Sequence, residues 1–143
     1  MALNPELINF FLSQIKVSTK QTFGSEVAHL FEHLKNEIKD NPIYELYESK
    51  RSLWKDWEDQ TDDELELPTG FEDAKFYVYD IYKRVAEKGS EGFDLVWRYF
   101  PERSSNINER IQNFNYQLLN YLTKALNDIV SANPEQENGI LPI

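Results

Sequence analysis

Apolar residues return every three or four positions through most of this chain, and the rhythm is longest between Asn106 and Ser131. Ile107, Ile111, Phe114, Leu118, Leu122, Ala125 and Ile129 form one row, with Leu119, Leu126 and Val130 beside it. That spacing fits a helix of about 3.6 residues per turn and not a strand. Two adjacent rows make a face wider than the roughly 100° stripe a single contact needs. The stretch 106–131 is therefore expected to be the long central helix of a bundle. Asn106 caps it, and Glu109 three residues on completes a capping-box arrangement with Asn in place of Ser or Thr.

The same reading gives about five further helices. Asn4-Pro5-Glu6 starts the first: a capping Asn, Pro at the first helical position and an acid in the first turn. Leu7, Ile8, Phe11, Leu12 and Ile15 make its apolar face, Phe10 lies off that face, and Gly24 is expected to end the segment. Ser25 is expected to cap a second helix with Val27, Leu30, Phe31, Leu34 and Ile38 inward. Asn41-Pro42 stops it, and Pro42 begins a third with Ile43, Leu46, Tyr47, Leu53, Trp54 and Trp57 on one side. The segment 71–88 is rich in aromatic and β-branched residues, as a strand would be. Phe71, Ala74, Val78, Ile81, Tyr82 and Val85 nevertheless keep helical spacing, and Gly89 suits a helix C-terminus, so helix is expected. Ser90 caps a short fifth helix, with Phe93, Val96, Trp97 and Phe100 apolar, which Pro101 closes. The fold class is all-α, a bundle of about six helices. Residues 1–131 are expected to form one domain, and 132–143, with Pro, Gly and Glu but no period, a flexible tail or linker.

Composition narrows the function. The chain has 143 residues and no cysteine, which removes disulfides, thiolate metal sites and cysteine nucleophiles and suits the cytoplasm. No basic region precedes the apolar Leu7–Leu12, so no secretory signal is expected. No run approaches the roughly 18 apolar residues that would span a bilayer. The net charge of −10 is local: nine acids and no Lys or Arg lie between Asp56 and Ala74, and the remainder carries 16 acids against 15 bases. Nucleic-acid binding is disfavoured, because it rests on clustered Lys and Arg. Asp59 to Gly70 is expected to be a long surface loop, and long ordered loops are often functional.

Few motifs carry chemistry. His29-Leu-Phe-Glu32-His33 matches the inverted zinc-protease string, in which two histidines hold the metal and the glutamate is the base. The core stripe of the same helix points away from both histidines, so a solvated face is the better reading and a zinc hydrolase is disfavoured. His29 and His33 remain weak surface metal candidates. Glu26-x-x-His29 matches half of a di-iron bundle site, but both histidines lie on this one helix and the second motif is missing. The acidic stretch fits no calcium loop, because Asp59-Gln-Thr-Asp-Asp-Glu has Thr at the third position and Glu at the sixth. No Gly-rich phosphate loop and no nucleophile elbow occur. Helical nucleases of the HEPN type carry an Arg followed a few residues later by His, and no Arg here is followed by any His.

What remains is surface, and no enzyme and no cofactor are expected. Phe10, Phe76, Tyr79 and Tyr116 fall off their helices' apolar faces. Either they share a contact patch or the bundle wraps more surface than the periodicity draws. Trp54 and Trp57 precede Asp59, Asp62, Asp63 and Glu64, an aromatic and acidic combination suited to a basic partner. The reading that results is a protein-interaction or oligomerisation module, a homodimer among its forms, and one whose tail composition suits linkage to a larger bacterial-type protein. The competing reading is an acidic inhibitor or immunity-type protein that masks a basic site on a toxin or nucleic-acid enzyme.

Overall fold

The computed structural model describes residues 5–37, 41–51, 70–99 and 106–131. They form six α-helices and one short 3₁₀ turn, and no strand occurs among them. The helices are α1 (Pro5–Lys16), α2 (Phe23–Glu37), α3 (Pro42–Lys50), α4 (Phe71–Lys88), α5 (Phe93–Tyr99) and α6 (Ile107–Ser131), with the 3₁₀ turn Gly89–Glu91 before α5. The segment 71–88 is thus a helix from end to end, as its apolar spacing required. No described helix is long and apolar enough to cross a membrane.

Helix ends follow the local chemistry in most places. Asn41 has extended backbone, and its Oδ1 accepts from the N–H of Ile43 and Tyr44 while Pro42 opens α3. The Asn41 Nδ2 donates to the carbonyl of Ile129 at 3.0 Å, so one side chain caps α3 and ties it to α6. Asn106 Oδ1 accepts from the N–H of Asn108, at 2.9 Å, and of Glu109. Gly89 ends α4 at φ +62°, a conformation that costs a residue with a side chain.

Two boundaries differ from the sequence reading. Ser90 lies inside the 3₁₀ turn and does not cap α5, which begins at Phe93, after Gly92 has packed closely against Val85. Helix α2 begins at Phe23, so neither Gly24 nor Ser25 stands where expected: Gly24 lies inside the first turn. Burial accounts for the earlier start. Phe23 is fully buried, edge-on to Phe114 of α6. A Cβ on Gly24 would fall 1.7 Å from the Gly89 carbonyl oxygen. The glycine is the contact point between α2 and the turn after α4, and it breaks nothing.

Helix α6 packs against α1, α3, α4 and α5, which accounts for its wide apolar face. Helix α4 is more enclosed still. It packs against α2, α3, α6 and the 3₁₀ turn, and every residue from Tyr77 to Tyr82 is buried. Rings supply much of that interior. Tyr79 meets Phe31 and Tyr47, Tyr47 stacks on Phe76 at 4.4 Å, and Tyr82 meets Phe114.

A helix enclosed on several sides must also bury polar groups, and these are paired, as buried charge demands. Asp80 is wholly buried. It accepts from Arg51 Nε at 2.7 Å and from Arg84 Nε at 2.9 Å. Arg51 also forks onto Glu87 through both terminal nitrogens. Burial opposes ionisation of Glu87, but the Arg51 hydrogen bonds and charge outweigh it and hold the carboxyl below the usual range. On the opposite side, Lys75 Nζ donates to Asp128 at 2.7 Å, and Tyr47 Oη donates to the same carboxylate.

Candidate functional site

An open groove of about 680 Å³ lies between α1 and α6. Leu12, Ser13 and Lys16 line it from α1 and Val17 from the turn just after; Gln112, Tyr116, Asn120 and Thr123 line it from α6. Asn115 forms part of its floor and holds the walls together. The Asn115 Nδ2 donates to the Ile15 carbonyl at 3.0 Å, and its Oδ1 accepts from Tyr82 Oη at 2.8 Å. Ser18 Oγ donates to the same Ile15 carbonyl, and Lys20 N–H donates to Asn108 Oδ1. The end of α1 and the turn after it are therefore pinned to α6 by buried and surface bonds, so the groove is a standing feature of the fold.

Its chemistry is unlike the rest of the molecule. Lys16 is the one charged side chain in the lining. Tyr116 is 89% exposed and Val17 69% exposed at its edges. Phe10, 54% exposed, lies on α1 seven residues before Val17. Ser13 and Thr123 donate their hydroxyl protons to backbone carbonyls of their own helices. Gln112, Tyr116, Asn120 and Lys16 make no side-chain hydrogen bond or ion pair among the described residues. Four unspent polar groups thus surround a partly apolar trough, a combination common in binding sites.

The expected contact patch is divided by the structure. Tyr116 and Phe10 are exposed, as expected of residues off the apolar stripe. Tyr79 is not a surface residue, and Phe76 is half-buried. Tyr79 is fully buried and donates its hydroxyl proton to Glu48, and Phe76 packs against the core beneath Tyr47. The reason is α3, which covers the side of α4 that the apolar stripe leaves outside. Tyr79 therefore offers no surface to a partner, and Phe76 offers only part of its ring. Trp54, Trp57, Asp59, Asp62, Asp63 and Glu64 lie outside the described residues, as does the tail 132–143.

The two histidines separate as well. His29 is exposed, whereas His33 is half-buried with its ring 5.6 Å from Phe11 of α1. Helix α1 covers a part of α2 that the wheel alone leaves to solvent. The buried Nε2 of His33 has no hydrogen-bond partner among the described residues. No group of three or more His, Asp or Glu side chains suited to a metal occurs among the described residues.

The groove itself was missed in the sequence, although a signal for it was present. From Ile111 through Thr123 no residue carries charge, and the same holds from Leu7 through Ile15, in a chain that is 28% charged. Exposed helix positions filled with Asn, Gln, Ser and Tyr instead of Lys and Glu mark a face kept free of ions. Comparison with known protein families, curated proteins and solved structures found no match.

Proposed function

We propose that the protein is a non-enzymatic protein-interaction module and that the α1–α6 groove is its contact surface. The observation that carries this reading is Tyr116, 89% exposed on the edge of a groove whose walls are pinned and nearly ion-free. Aromatic residues are enriched and charged residues depleted at the centres of protein interfaces. A tyrosine supplies a large rigid contact area at low entropic cost, which favours it as an anchor. The test replaces Tyr116 with the photo-crosslinking residue p-benzoylphenylalanine and irradiates the chain alone and in extract of its own cells. A discrete adduct, to a second copy or to another protein, supports the reading. Light scattering over a hundredfold concentration range then assigns the partner as self or foreign. No adduct in either setting counts against it.

The charge distribution favours a second reading, the acidic inhibitor. The run from Asp56 to Ala74 has nine acids and no base, and Glu72 and Asp73 at its end are exposed in the first turn of α4. Changing Asp62, Asp63 and Glu64 to Lys discriminates the two. An inhibitor of a basic site loses affinity and association rate with a strong salt dependence, whereas a partner held in the α1–α6 groove is unaffected.

A further inference from the structure

Gln112, Tyr116 and Asn120 stand four residues apart on α6, so their side chains form a ladder with rungs about 6 Å apart along the helix axis. An extended peptide repeats its outward-facing groups every two residues, about 6.6 Å. From Gln112 to Asn120 the ladder rises about 12 Å, the length of roughly four extended residues. The two amides offer both donors and acceptors, as main-chain N–H and C=O groups require. All three side chains are unpartnered among the described residues. Across the groove Lys16 supplies one positive charge, also unpartnered, and Leu12 and Val17 supply apolar surface beside it.

Other ligand classes fit less well. A nucleic acid needs several cations to follow its phosphates, and the groove has one. A glycan presents many hydroxyl donors, for which carboxylates are the strong acceptors, and no carboxylate lines the groove. A docking amphipathic helix seeks a mainly apolar trough, whereas one wall here is an amide ladder.

From this we infer that the groove holds an extended segment of another protein, its main chain paired with Gln112, Tyr116 and Asn120 and one acidic side chain set against Lys16. This rests on the interaction reading above and adds the occupant's conformation and charge.

The test selects a phage-displayed library of random linear peptides against the full chain. The enriched sequences should share one acidic position. A synthetic peptide of that consensus should bind Gln112→Ala/Asn120→Ala about tenfold more weakly, as loss of two neutral hydrogen bonds implies. Lys16→Glu should reverse the charge preference, so that a Lys-for-acid peptide binds the variant better than the consensus does. All three substitutions are at solvent-exposed positions, and unchanged circular dichroism shows that the variants fold. Enriched peptides with no common acid, or a consensus indifferent to these variants, overturn the assignment of the groove. A cross-link from position 116 to a protein would still stand in that case, so the two readings fail separately. A chain ending at Ser131 supplies a last arm. Unchanged peptide affinity supports a foreign segment, and markedly tighter affinity shows that residues 132–143 compete for the groove and overturns the foreign assignment.

Discussion

Arg51 and Asp80 form an ion pair at 2.7 Å across the α3–α4 contact, with the carboxylate wholly buried and the guanidinium near the surface. Arg84 reaches the other oxygen of Asp80 from one turn further along α4. Two arginines on one buried carboxylate make a network in which each substitutes in part for the other. Arg51→Ala or Arg84→Ala alone should cost about 1.5 kcal/mol, since one charged hydrogen bond to Asp80 survives. The double variant takes both arginines from the buried carboxylate at once, and its loss should exceed the sum of the singles by about 1–3 kcal/mol. Urea denaturation of the four proteins measures this coupling, and strict additivity would show that the arginines act independently.

Gly24 and Gly89 are both constrained, for different reasons. Gly24 has no room: an added Cβ meets the backbone of Gly89, which cannot rotate away. Gly89 has open space around it but sits at φ +62°. Gly89→Ala should therefore cost about 1–3 kcal/mol of conformational strain. Gly24→Ala must separate α2 from the turn before α5 and should cost more than Gly89→Ala, with loss of cooperative melting as the extreme. A Gly24→Ala protein as stable as the parent would contradict the packing described.

Tyr79 and Tyr116 lie on different helices and were alike to the eye in sequence, yet they should respond oppositely. Tyr79→Ala removes a ring enclosed by Phe31 and Tyr47 together with a bond to Glu48, and should cost about 3–5 kcal/mol. Tyr116→Ala, at an exposed position, should leave stability within about 0.5 kcal/mol of the parent. Thermal or urea midpoints of the two variants decide the matter.

The buried phenols predict a sharp alkaline limit. Desolvation raises the pKa of Tyr47, Tyr79 and Tyr82, with Asp128 adding to Tyr47 and Glu48 to Tyr79. Desolvation also pushes Tyr77 up to about 12. A folded pKa above the unfolded value of about 10 means that stability is fully present below pH about 10 and is lost as pH rises further. The midpoint in urea should fall steeply above that pH. Phenolate absorbance from these tyrosines should appear together with loss of helical circular dichroism. Ionisation of all eight tyrosines well before unfolding would argue against their burial.

How far the chain could be read in advance varied with how local each feature is. The cap at Asn106, the start of α3 at Pro42, the end of α4 at Gly89 and the helical state of 71–88 follow from neighbours a few residues apart. The exposure of Tyr116 and Phe10 also followed, because none of the described helices covers their faces. Tyr79, Phe76 and His33 were misplaced for one reason: a helical wheel shows which face is apolar, not how many neighbours arrive on the others. Aromatic and amphipathic side chains can line a second contact without extending the apolar stripe, as Tyr79 does by burying its ring and sending its hydroxyl to Glu48.

Periodicity and capping chemistry thus determined the number, kind and approximate limits of the helices, since each rests on backbone hydrogen bonds closed within a few residues. The pairing of those helices came from contacts distant in sequence: Asn115 with Ile15, Arg51 with Asp80, and Gly24 with Gly89. Those contacts enclosed α4 and placed the uncharged faces of α1 and α6 side by side. A groove belongs to two elements at once, and no single stretch of chain encodes the distance between its walls.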